Sequence, residues 1–237
     1  MMRNIVIALC LFTITYGFGQ NITGGWEYNY TTKDNTPIVQ RMTITDGYWV
    51  ITHFEESTGQ FVHTSGGSWT MKDDRWQQTV EFDSNDSDKV GTTLQWDITM
   101  TNDKLKVKQT GTTWERIDAG KEGALAGAWL MSGRIRDGQK QERDTNRPRK
   151  TMKILSGTLF QWIAYNTATK EFMATGGGRY TTIDGKYTEK IDFFSRDVSR
   201  VGAALEFDYN LQSNDWHHSG FSSKGQPLYE IWSPRQQ

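Results

Sequence analysis

The chain has 237 residues, a formal net charge of -1, ten Trp and a single Cys, Cys10. At roughly 100–200 residues per domain, this length holds one large domain or two small ones. Near-neutral charge gives no electrostatic reason to expect nucleic acid or an anionic membrane surface as the main partner.

In chain order, the first segment reads as a signal peptide, residues 1–19. Arg3 supplies the positive start, Ile5 to Ile14 the apolar run, and Gly17 and Gly19 the small residues before Gln20. The run is too short to span a membrane comfortably, and no later segment approaches the roughly 20 apolar residues of a membrane helix. Cys10 sits inside the apolar run behind Leu9, so a lipoprotein anchor is not expected. Cleavage would leave no cysteine, which removes disulfides, thiolate catalysis and cysteine metal sites. The expected location is therefore outside the cytoplasm, periplasmic or secreted.

The mature sequence repeats itself. Gly24-Gly25-Trp26 recurs as Gly127-Ala128-Trp129. Phe61 recurs 111 residues later as Phe172, and the same offset pairs Trp76 with Tyr187, Val80 with Ile191 and Phe82 with Phe193. It also pairs Val90-Gly91 with Val201-Gly202, Leu94 with Leu205, and Leu105 with Trp216. This register implies a duplicated unit. In the second copy, strand-like runs lie near 127–135, 149–155, 158–165, 171–181, 186–194, 202–211, 214–221 and 227–233. Turn residues such as Asp184-Gly185 and Ser213-Asn214 separate many of them. The expected fold is all-β: two tandem antiparallel up-and-down barrels of about eight strands each, over residues 20–118 and 125–237. A sandwich is the competing architecture, and Asp118 to Ala124 is the expected linker.

A Gly-x-Trp opening the first strand of a small barrel resembles the lipocalins and their calycin relatives. The resemblance covers both copies and implies an Arg stacked on that Trp, a place filled by Arg116 in the first copy and less well by Arg235 in the second. It is nearest to exported bacterial lipocalin-like domains, through Gly176-Gly177-Gly178, Tyr187-Thr188-Glu189 and Glu230-Ile231-Trp232. The first copy departs from that pattern, with Trp76-Gln77-Gln78 in place of Tyr-Thr-Glu.

Alternation along strands sorts the side chains that would meet a ligand. From Lys186 onward, Tyr187, Glu189, Ile191 and Phe193 share the more apolar face, taken as inward. A carboxylate there needs a partner, water or a ligand. Glu189, His218 and Glu230 are the expected polar cluster, within walls of Trp162, Tyr180, Tyr187, Phe207 and Tyr209. In the first copy Leu94, Trp96, Ile98 and Met100 read as core filler, so that copy is expected to do less. His53 and His63 read as satisfied barrel histidines.

Three functions follow. The first is a binder of a small, largely apolar or aromatic molecule, mainly in the second copy. The second is an enzyme using Glu189, Glu230 and His218. The third is a surface module for sugars or proteins, with Trp232 turned outward. No cofactor or metal site is expected. His217 and His218 are adjacent on a strand and face opposite ways. Gly176-Gly177-Gly178 lies within a strand pattern and lacks the Lys-Ser or Lys-Thr of a phosphate loop, so it marks a bulge or bend.

Overall fold

A computed structural model of the chain describes residues 21–101, 103–222 and 225–236. The expected signal peptide and Cys10 lie outside the described residues.

The first nine strands are β1 (Gly24–Thr31), β2 (Pro37–Thr45), β3 (Tyr48–Glu55), β4 (Phe61–Lys72), β5 (Arg75–Asp83), β6 (Thr93–Trp96), β7 (Ile98–Thr101), β8 (Lys104–Val107) and β9 (Thr113–Asp118). They form one antiparallel sheet in the order β6-β5-β4-β3-β2-β1-β9-β8-β7. Its two edges, β6 and β7, are consecutive in the chain and separated only by Asp97. The chain itself therefore carries the sheet round to a nearly closed barrel. Asp97 is held there by Gln109, whose side-chain oxygen accepts its N–H at 3.0 Å.

The second set is β10 (Gly127–Arg136), β11 (Gln139–Glu142), β12 (Arg149–Leu155), β13 (Leu159–Asn166), β14 (Glu171–Ile183), β15 (Lys186–Phe194), β16 (Ala204–Gln212), β17 (Asp215–Phe221) and β18 (Pro227–Pro234). Pairing of β10 with β18 closes eight of these strands into a barrel, and β11 folds back on the far half of β10. The fold is thus all-β, two tandem up-and-down barrels. Strand β11 was not anticipated. Its charged sequence Gln139-Lys140-Gln141-Glu142 is wholly exposed and carries no apolar alternation to read. It lies where the offset between matching residues of the two halves grows from 103, at the Gly-x-Trp pair, to 111.

Local chemistry sets the hairpins. Asp73-Asp74, Asp137-Gly138, Asp184-Gly185 and Ser213-Asn214 each place two residues at positive φ. That is the twist-matched two-residue turn that Asp, Asn and Gly tolerate. Each barrel also has a bulge at the same place. The β4–β5 register slips between Gly66 and Gly67, and the β14–β15 register slips between Gly177 and Gly178. A Cβ on Gly67 would lie 2.0 Å from the Thr79 carbonyl oxygen, and one on Gly178 2.0 Å from that of Lys190. Only glycine allows this approach.

The bulge corrects one assignment. The extra residue is Glu81 in β5 and Asp192 in β15, so alternation inverts beyond it. Val80 and Ile191 point into their barrels, whereas Phe82 and Phe193 point outward into the contact between barrels. Phe193 is buried, but it is not a lumen residue. Phe194 takes that place.

Between the barrels, β3 and β5 of the first pack on β10, β12 and β13 of the second through Tyr48, Val50, Phe82, Leu130, Met152, Ile154, Ile163 and Tyr165. The contact is nearly two-fold. Phe61 stacks on its own counterpart Phe172, while Phe54 on Phe193 mirrors Tyr165 on Phe82. An arrangement in which one patch meets its own copy is the isologous geometry of symmetric dimers. Both bulge carboxylates reach across it. Asp192 accepts from Arg41, and Glu81 accepts from Arg235 at 2.7 Å and from the Tyr165 hydroxyl at 2.7 Å. Asp118, at the start of the expected linker, is a latch. Its carboxylate accepts from Gly25, Gly120, Ser156, Gly157 and Thr158. Burial works to raise its pKa, and these donors outweigh burial and lower it.

Candidate functional site in the second barrel

Four strands bring polar side chains into the second barrel: Lys153 from β12, Glu189 from β15, His218 from β17 and Glu230 from β18. Register dictates the meeting. His218 pairs with Glu230 across β17–β18, and Trp216 with Trp232, so all four point the same way. Lys153 donates to Glu189 at 2.9 Å and to Nδ1 of His218 at 3.3 Å. The Lys153 and Glu189 side chains are only 5% and 7% exposed, so this is a buried ion pair. The ammonium also lies over aromatic faces, 4.9 Å from Tyr187, 4.7 Å from Trp216 and 5.2 Å from Trp232. Such contacts help hold a desolvated cation.

The network fixes the histidine. With Nδ1 accepting from Lys153, the proton of neutral His218 sits on Nε2. Burial, then the nearby Lys153 charge, hold its pKa well below 6.5. Glu230 accepts from the Trp232 indole at 3.1 Å. Burial raises its pKa, with the Lys153 charge acting in the opposite sense.

These groups floor an open cup of about 360 Å³. Its walls are mostly apolar, with Trp162, Ile191, Phe194, Leu205, Phe207 and Leu228, and Arg200 and Ser222 stand among its lining. Of the expected site residues, Glu189, Glu230, His218, Trp162 and Phe207 line this cup. Tyr187 does not line it, but forms part of the aromatic packing against Lys153. Tyr180 lies against Tyr187 and donates to the Ser156 carbonyl at 2.6 Å, away from the cup. Tyr209 is partly buried against the core beside His218 and does not line the cup either. Trp232 is 2% exposed and inside the barrel, so the outward orientation considered for it is wrong. His217 does point out, beside Tyr229.

Lys153 was missed, although a signal existed. It stands 111 residues after Met42, the same offset that sets Glu189 against Gln78 and His218 against Val107. Apolarity misled here: on β12 the fully buried apolar pair Met152 and Ile154 faces the first barrel, and the lysine faces the lumen.

The first barrel holds a cup of about 410 Å³, not a filled core. Leu94 and Trp96 line it, with Trp49, Trp76 and Trp114. At its rim His63 and the Asp83 carboxylate meet at 2.9 Å, and Gln40 lies 3.1 Å from a ring nitrogen of His53. Burial, then the neighbouring His63, bring His53 down to about 4. Arg116 lies 4.1 Å above the Trp26 ring, as the resemblance implies, whereas Arg235 lies over Tyr48 and not over Trp129. The described residues contain no group of three or more His, Cys, Asp or Glu able to hold a metal. No protein-family model matches the chain, and no curated protein matches it. The two all-β barrels are compatible with a calycin-like barrel fold.

Proposed function

We propose that this protein is an exported, lipocalin-like binder that takes a small, largely apolar or aromatic molecule in the lumen of its second barrel. The observation that carries the reading is the cup of about 360 Å³ with apolar walls and a few convergent polar groups at its floor. That combination is the usual form of a small-molecule site. Lys153 has three N–H donors, and Glu189 and His218 take two of them. The third suits a ligand oxygen, a carboxylate or a carbonyl, entering polar end first. On this reading the two barrels are copies of one ancestral unit, residues 20–118 and 125–237, behind a cleaved leader at 1–19.

Acid–base catalysis by Glu189, Glu230 and His218 is less well supported. A general acid or base works best with a pKa near the operating pH. His218 is instead held neutral far below it, with Nδ1 engaged by a cation. Large exposed apolar side chains, among the described residues, are Val62, Met71, Ile183, Val198, Leu211 and Phe221, only one of them aromatic. That distribution gives little support to a surface module built on exposed Trp and Tyr.

Native mass spectrometry of the protein purified from its source tests the binder reading. A retained small molecule, lost from the Glu189→Gln variant while the barrel circular dichroism is unchanged, is the expected result. A homogeneous protein without adduct that also fails to take up apolar dyes would reject it.

A further inference from the structure

The first barrel's cup differs from the second in charge more than in shape. Matching registers make Met42, Gln78 and Val107 the counterparts of Lys153, Glu189 and His218. Met42 pairs with Trp26 as Lys153 pairs with Trp129, and Gln78 pairs with Leu94 as Glu189 pairs with Leu205. Val107 pairs with Ile98 as His218 pairs with Tyr209. Of the four ionisable floor groups, Lys153, Glu189 and His218 are therefore replaced by uncharged ones. Formal charge survives only at the rim, where Asp83 is engaged by His63 and Lys89 by Asp86.

Both barrels bury donors without a partner, Trp216 and His218 in the second among them, but in the first no cation stands beside them. Trp49 and Trp76, 3% and 2% exposed, both line the cup and bury indole N–H groups that have no acceptor among the described residues. Gln78 gives its side-chain oxygen to the Trp96 indole at 2.7 Å, which leaves its amide N–H donors for another acceptor. A buried donor without a partner is costly, so orphans clustered around one cavity call for an acceptor that the chain does not supply. A carboxylate would be a poor one, because no cation stands at the floor to offset its lost hydration.

We infer that the lumen of the first barrel is a second ligand site, for a neutral apolar or aromatic molecule carrying a carbonyl-type oxygen that accepts from Trp49 and Trp76. The inference extends the proposal that these lumens are ligand sites, and it assigns the two barrels different ligand chemistry. The second barrel takes a polar or anionic head at Lys153. The first takes an uncharged acceptor among indoles.

The test is a nitrogen-edited NMR titration of the full chain with two probes, methyl cinnamate and cinnamate. The ten Trp provide separate indole N–H signals, assigned by single Trp→Phe variants. The ester is expected to move the Trp49 and Trp76 indole protons downfield, whether or not it also moves those of Trp216 and Trp232. Cinnamate at the same concentration should leave Trp49 and Trp76 unmoved. Trp49→Phe and Trp76→Phe should each weaken ester binding about three- to tenfold, the size of one neutral hydrogen bond. Because either variant also alters the buried packing, Gln78→Leu serves as a further check and should weaken the ester without altering the cinnamate response. Equal shifts of Trp49 and Trp76 by both probes would overturn the inference, as would an ester that moves only second-barrel signals. If cinnamate moves Trp216 and Trp232 while neither probe moves Trp49 or Trp76, this inference fails and the second-barrel reading survives. If neither probe moves any lumen indole, both fail.

Discussion

The two barrels share strand plan, hairpin turns, glycine bulge and a sealing tryptophan. Trp26 donates to the Ile22 carbonyl and Trp129 to the Leu125 carbonyl, each at 2.9 Å. They differ on the floor, where Met42, Gln78 and Val107 stand in the places of Lys153, Glu189 and His218, and where only the second cup has a glutamate such as Glu230. One scaffold therefore carries a neutral and an ionised lumen. The scaffold residues are those that the backbone geometry demands, whereas the floor residues set the charge of the lumen without changing the strand plan.

The sharpest way to break the comparison is to remove one member of the ionised set. Lys153→Met or Glu189→Gln alone should destabilise the protein by about 3–5 kcal/mol in urea unfolding, since each leaves the other charge buried and unpaired. The triple change Lys153→Met, Glu189→Gln, His218→Val, which writes three residues of the first floor into the second barrel beside Glu230, should recover most of that loss. A triple variant no more stable than the singles would mean that the floors are not interchangeable.

Next is the shared bulge. Gly178→Ala and Gly67→Ala should each cost at least ~1–3 kcal/mol by overpacking, because the added Cβ would meet a backbone oxygen at 2.0 Å in both barrels. Thermal melts of the two variants should shift alike; a shift in only one would separate the barrels.

The latch comes third. Asp118→Asn should cost about 1–3 kcal/mol by leaving donors of both barrels without their carboxylate acceptor. Its folded pKa is lowered from 3.8, so its contribution is complete above 3.8 and is lost as pH falls through the folded value.

His218 acts earlier on the same axis. Its folded pKa lies well below 6.5, so between those values the unfolded chain binds a proton that the folded chain does not. Stability should be full above pH 6.5 and should decline as pH falls below it. His218→Val should flatten that part of the stability–pH curve, leaving the smaller contribution of His53, held at about 4 in the first barrel. An unchanged slope would contradict the assignment of His218 as a neutral partner of Lys153. The smallest effect is expected at the self-matched stack. Phe61→Leu should cost about 0.5–1.5 kcal/mol for the lost ring pair, read from the urea midpoint.

Most of the strand plan was legible because strands and turns have local causes. Alternation and the Asp-Gly and Ser-Asn pairs placed every barrel strand of the second copy within about two residues. The internal repeat of the sequence showed which positions correspond, and Glu189 and His218 stood out because each stands where the first half has Gln78 or Val107. Lys153 obeyed the same rule and was passed over because its strand has two buried faces. Tyr180, Tyr187 and Tyr209 read as pocket walls from the sequence because alternation marks a side chain as inward without separating the packed part of a barrel interior from the open part.

By itself the sequence determined the all-β class, the repeat, the turns and the need for glycine at Gly178, since backbone sterics and side-chain period act over a few residues. The tertiary structure alone decided which buried face meets a lumen and which meets the other barrel. It also decided where the bulge inverts that assignment and which charge Glu189 pairs with. Those outcomes depend on strands distant in the chain coming within a few ångströms, where apolar surface is removed from water equally well by a cavity wall or by a neighbouring barrel.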